Sequence, residues 1–144
     1  MKTRTRLRIA SGLTLFLAAG HTFGAVLAAP TQGAEEAALR EAMRAYRVVS
    51  MGMERSYWDF YFGSGWTITV FLLTVAAVIW VVGRIAAEAP GLARPAVGAL
   101  SIGFGAVTVV CGPYFVTAPI VNSAAITICL VGAWATCHSV PSGP

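Results

Sequence analysis

A chain of 144 residues is long enough for one domain. Its composition, 57% hydrophobic against 11% charged, is far from the roughly 25% charged residues of soluble domains and reads as a membrane protein. The net charge of +4 gathers largely in Lys2, Arg4, Arg6 and Arg8, ahead of the first apolar run; that is a topology signal rather than a nucleic-acid footprint, and no nucleic-acid partner is expected.

The first apolar run extends from Ile9 to Ala29 and stops at Pro30, giving a span over about 9–29. Some twenty residues at ~1.5 Å rise cover a hydrocarbon core of ~30 Å. The rival is a cleaved signal peptide with Val26-Leu27-Ala28 as an A-x-A-like site. Signal h-regions run ~7–15 residues, whereas here the apolar character resumes after His21, so a retained span is expected. Gly20 and Gly24, four apart, let another helix come close, and His21 puts a titratable ring between them.

Over about 34–53 the chain turns polar. Leu39, Ala42, Met43, Tyr46, Val49 and Met53 recur at helical spacing with Glu36, Arg40, Glu41, Arg44 and Arg47 between them, and Glu36 and Arg40 stand four apart in the favourable order. An amphipathic helix is expected, lying on the membrane surface, capping the bundle or simply connecting two spans in solvent. Ser56 and Asp59 then form a capping-box signature before the second run, 57–82. Trp58 and Trp80, ~33 Å apart along a helix, suit the two membrane interfaces. Gly83-Arg84 is expected to end this span, with a polar turn from Glu88 to Pro95. The third span, 96–112, presents Ser101, Gly105, Thr108 and Gly112 on one packing face. The fourth, 119–137, starts near Pro119 and carries Ala125, Cys129 and Ala133 as a small-residue stripe.

The expected fold is therefore all-α: a four-transmembrane-helix bundle, one membrane domain over 1–144, with an extracytoplasmic amphipathic helix between spans 1 and 2. Lys2, Arg4, Arg6, Arg8, Arg84 and Arg94 fall on one side, and Arg40, Arg44, Arg47 and Arg55 on the other. The majority side is cytoplasmic by the positive-inside rule, which places both termini inside, in a bacterial inner membrane.

His21 is the one histidine within a span, and an intramembrane ionisable residue is a functional hypothesis by default. The plainer reading is a neutral imidazole hydrogen-bonded to a neighbouring helix. Tyr61, Thr108, Asn122 and Ser123 come from the outer halves of their spans, so His21, Tyr61, Asn122, Ser123 and Asp59 form the candidate ligand-binding set; Gly20, Gly24, Ser101 and Gly105 form the candidate helix-packing set. Asp59 paired with His21 is the arrangement of a proton-handling pair; as a helix cap, with Arg55 nearby, it has a structural role instead. Gly63-Ser64-Gly65 suits a close helix contact or a local bend. No metal and no cofactor are expected. Cys111, Cys129 and Cys137 lack C-x-x-C spacing, and His138 lies at the opposite end from His21. No phosphate loop, dinucleotide fingerprint, nucleophile elbow or H-E-x-x-H motif is present, and no catalytic residue is assigned.

Gly20-His21-Thr22-Phe23-Gly24, Met51-Gly52 with Arg55-Ser56, Asp59-Phe60-Tyr61-Phe62-Gly63-Ser64-Gly65, and Tyr114-Phe115 with Pro119 together resemble a group of small bacterial four-span membrane proteins over most of the chain. The resemblance implies architecture and retention of the first span, and no activity. The layout is also similar to that of DoxX-type proteins, an analogy of architecture that carries no function. Ser64 departs from the pattern, in which a bulky residue such as Phe is expected between the glycines, and leaves the packing there open.

The scarcity of groups able to do chemistry favours a non-catalytic role. The expected partners are the lipid bilayer and either a membrane protein or an apolar ligand such as a lipid or quinone, with a homodimer packed on Gly20 and Gly24 as a further arrangement. An enzyme using His21 as acid or base, and more weakly a proton-coupled transporter, are the alternatives.

Overall fold

The computed structural model describes residues 2–27 and 33–137. The element order is α1 (Lys2–His21), a π-helical segment (Thr22–Leu27), α2 (Ala34–Ala45), a hairpin of β1 (Arg47–Ser50) and β2 (Met53–Ser56), α3 (Tyr57–Glu88), α4 (Pro90–Tyr114) and α5 (Thr117–Thr136). Four helices are long and apolar enough to cross a membrane: Lys2–Leu27, Tyr57–Glu88, Pro90–Tyr114 and Thr117–Thr136. The fold is all-α apart from the hairpin. Pro30 and His138 lie outside the described residues.

Several boundaries differ from the sequence expectation. The segment 34–53 is not one amphipathic helix: α2 ends at Ala45, and the antiparallel hairpin pairs Arg47 with Ser56 and Ser50 with Met53. The β-branched Val48-Val49 pair favours strand, and Met51 (φ 51°) and Gly52 (φ 77°) form a two-residue turn with both central residues left-handed. Gly83-Arg84 does not end the second span. Gly83 instead faces Leu7, whose Cβ stands 3.3 Å from where a glycine side chain would begin, and the helix continues to Glu88. The expected polar turn from Glu88 to Pro95 shrinks to Ala89, because Pro90 opens α4 at a first-turn position where its missing N–H costs nothing. Pro95 then sits inside α4, and Pro119 falls in the first turn of α5.

The chain falls into two compact units, Met1–Leu17 with Leu72–Pro144, and Ala18–Phe71. In the first, α4 and α5 pack as an antiparallel pair across the short link Phe115-Val116, and the early part of α1 and the later part of α3 complete a four-helix arrangement. Its core is Leu7, Ala10, Ile79, Val82, Ala93, Val97, Phe104, Ile126, Leu130 and Ala133. At Gly105 a Cβ would stand 3.8 Å from Thr127 Cγ2, an ordinary van der Waals contact. Ser101 donates to the carbonyl of Val97 at 2.7 Å, turning its hydroxyl back on its own helix. At one end of this unit the Arg6 guanidinium donates to the Gly132 carbonyl, and Thr3 and Thr136 hydroxyls meet at 2.8 Å. There too Arg8 lies 5.2 Å from the Trp80 ring and Arg94 4.7 Å from that of Trp134.

In the second unit α2 buries no residue of its own. It is held through Trp58, over which the guanidinium carbons of Arg44 and Arg40 stand at 4.8 and 5.7 Å. The expected Glu36–Arg40 pair forms, at 2.5 Å. Ser56 and Asp59 make the full capping box: the Ser56 N–H donates to Asp59 Oδ2 at 2.8 Å, and the Asp59 N–H donates to Ser56 Oγ at 3.1 Å.

Candidate functional site

His21 is the last residue of α1, immediately before the π-helical segment. A π turn widens the helix and is rare, appearing mostly as single turns within α-helices and frequently at functional sites. Here it follows the histidine and brings Thr22 and Val26, four apart, against α3. The His21 Nε2 lies 3.1 Å from the carbonyl of Gly65. A carbonyl can only accept, so Nε2 carries the proton, and in the neutral ring Nδ1 is left as the acceptor.

Beside this contact runs a chain of hydroxyls. Thr22 donates to the Ala18 carbonyl at 2.7 Å, Thr22 and Thr69 Oγ1 atoms stand 2.9 Å apart, and Thr69 Oγ1 is 3.2 Å from the Gly65 carbonyl. Two hydroxyl protons serve three contacts. Thr22 donates to Ala18 and Thr69 to Gly65, whose carbonyl oxygen has two lone pairs and so accepts from both Thr69 and the imidazole. The result is a polar seam joining the first span to α3, with Thr69 buried and His21 and Thr22 half-buried.

Gly65 is the steric condition for that seam. A Cβ there stands 2.8 Å from Val26 Cγ2, inside any real carbon–carbon contact. Gly20 and Gly24, by contrast, have nothing within 4 Å of a Cβ position. Among the described residues, close approach beside His21 rests on the second glycine of Gly63-Ser64-Gly65 and not on the pair flanking His21. Gly65 and Thr69 form a small-xxx-small pair, the one sequence signal that marks this face. Thr22 and Thr69 carry no role in the sequence reading, and Gly65 enters it only within Gly63-Ser64-Gly65 as a close-contact candidate.

The other candidates separate. Asp59 is exposed, and its carboxylate is engaged in the capping box. Tyr61 is exposed, with its ring 5.6 Å from that of Trp58. Among the described residues no hydrogen bond joins His21 to Asp59 or Tyr61. Asn122 and Ser123 belong to the first unit. Ser123 is fully buried, and its hydroxyl donates to the Ile120 carbonyl at 3.1 Å. The Asn122 Oδ1 is buried with no hydrogen-bond partner among the described residues, and leaving such an acceptor unpaired costs about 1–3 kcal/mol.

One hollow of about 320 Å³ opens on the surface of α3, lined by Asp59, Phe60, Gly63, Ser64, Thr67 and Ile68. These positions recur at i, i+1, i+4 and i+5, so it is a groove along one helix face, with an acid at one end and small residues on its floor. No group of three or more His, Cys, Asp or Glu side chains among the described residues could hold a metal ion. No protein-family model, curated protein or solved structure matches this chain.

Proposed function

We propose that the chain is a small multi-pass inner-membrane protein that binds without catalysing a reaction. Its occupant is a partner's transmembrane helix or an apolar ligand such as a lipid or quinone, lying in the groove on α3. The observation that carries this reading is the groove itself. Nothing stands within 4 Å of a Cβ position at Gly63, so the α3 backbone lies open on an apolar face, where in lipid close packing of small residues drives association. His21 contributes to the helix seam that backs this part of α3, because its Nε2 is committed to Gly65. An acid–base role for His21 rests on Nδ1 alone, and the geometry gives that reading less support.

The reading also takes both termini as cytoplasmic and the α2–hairpin segment as extracytoplasmic, in keeping with the basic residues gathered at one end of the first unit. This is also the architecture that the resemblance to small bacterial four-span proteins leads one to expect.

A photoreactive amino acid at Ser64, in the full chain expressed in a bacterial membrane, tests the reading. A defined adduct, either to one protein or to a lipid or quinone identified by mass spectrometry, is expected, and Gly63→Leu should abolish it. Labelling that is diffuse over bulk lipid and indifferent to Gly63→Leu counts against a binding groove.

A further inference from the structure

We propose that the turn of the hairpin is a membrane-docking tip, with Met51 and its neighbours Val49 and Met53 seated at the headgroup–acyl boundary of the bilayer that the four helices cross. The inference rests on those helices being membrane spans, and it is independent of what occupies the α3 groove.

The turn itself supplies the first argument. With φ of 51° at Met51 and 77° at Gly52, the two-residue turn is of the kind whose central positions favour Asn, Asp and Gly. Gly52 fits that preference and Met51 does not: a left-handed L-residue costs roughly 1–2 kcal/mol. Among the described residues nothing packs on Met51 to offset the cost, since it is 98% exposed. Val49 is 74% and Met53 57% exposed, so three large apolar side chains project from one tip into surroundings the protein does not provide. An apolar group held out in a strained turn is the pattern of a contact site rather than of a solvated loop.

The position of the hairpin selects the bilayer as that surrounding. Ser56 ends β2 and caps α3 in the same residue, and the Tyr57 N–H reaches the Tyr46 carbonyl at 3.3 Å while their rings stand 5.4 Å apart. The hairpin is therefore fixed to the start of a span. Four strand residues at ~3.3 Å rise keep the tip within ~13 Å of that start. Tyr57, Trp58, Tyr61, Phe62 and Trp66 form an aromatic band there, the residue class that settles at the membrane–water interface. Arg47 and Arg55 stand at the base of the two strands, where long guanidinium side chains can reach lipid phosphates while their stems lie against the apolar layer. Apolar tip, aromatic band and basic base together match a lipid interface.

The test uses the full chain in nanodiscs, with an environment-sensitive fluorescent amino acid introduced by suppression at position 51, and at position 49 as a second site. Position 102 is the reference, because Ile102 is 76% exposed near the middle of α4. Blue-shifted emission at 51 and 49 that is quenched by a nitroxide on the lipid acyl chain, and not by aqueous iodide, is expected. Quenching by iodide alone puts the tip in water and overturns the proposal. Protection from both quenchers puts it against protein and overturns it too. If position 102 also escapes the lipid-borne quencher, the spans themselves are refuted and the docking tip falls with them.

Discussion

At Gly65 two requirements meet on one residue: its carbonyl accepts from His21, and its missing side chain admits Val26. They differ in weight. Interhelical hydrogen bonds in membranes average about 0.6 kcal/mol, whereas forcing a methyl group into a filled contact costs typically 1–3 kcal/mol. Gly65→Ala is thus expected to destabilise the protein more than His21→Ala, as measured by resistance to denaturant in mild detergent. The double variant Gly65→Ala, Val26→Ala should recover most of the loss, because it removes the methyl group that the new Cβ meets. Should His21→Ala prove the more damaging, the seam depends on the imidazole and not on close approach. The sequence marks His21 as unusual and names Gly63-Ser64-Gly65 as a close-contact candidate, but it does not link the two. Which residues of two helices meet depends on their rotation about their axes, and hydropathy does not encode rotation when a helix is apolar all round.

α2 illustrates an element that its own sequence cannot sustain. A helix of 12 residues with none buried is at or below the length at which isolated helices are marginal in water. What holds it is the pair of guanidinium groups over Trp58, each such contact contributing roughly 0.5–1 kcal/mol at an exposed site. Trp58→Ala should therefore raise amide exchange throughout Ala34–Ala45 while leaving α5 unchanged, as read by hydrogen-exchange mass spectrometry. Unaltered protection of α2 would show that it is held by something other than Trp58. The capping box next to it was fully legible, since its two residues act at fixed spacing through the backbone. Ser56→Ala should cost about 1 kcal/mol by removing one half of it. The hairpin between was not legible. Val49 and Met53 continue the helical period of Leu39, Met43 and Tyr46, and only the β-branched pair and Gly52 mark the change. Turn chemistry at one glycine outweighed a periodicity of apolar residues none of which is fully buried.

For the molecule as a whole, composition alone foretold four helices long and apolar enough to cross a membrane, because the hydrocarbon thickness fixes both the length and the character of a span. The ends of the spans were less legible: Gly83 is read as a stop when isolated but serves as a contact for Leu7. Orientation is the expectation at this scale that rests on charge, and the first unit adds one observation to it. In the first unit Arg6 meets Gly132, Arg8 covers Trp80 and Arg94 covers Trp134, so the basic start of α1 shares one end with the end of α5. If all four helices cross, as the sequence leads one to expect, the side on which the chain begins would hold Lys2, Arg4, Arg6, Arg8, Arg84 and Arg94 against Arg40, Arg44, Arg47 and Arg55 on the other. The positive-inside rule counts basic residues near span ends and gives acids little weight, so the six outweigh the four. A reporter that folds only in the cytoplasm should be active when fused after Pro144 and silent when inserted at Ser50; alkaline phosphatase should give the converse. Replacing Lys2, Arg4 and Arg8 with Gln, and leaving Arg6 on its carbonyl partner, reduces the majority side to three basic residues and should yield a mixed population by both reporters. A wholly unchanged orientation in that variant would mean that the anchored α2–hairpin segment, rather than charge, fixes which side faces out.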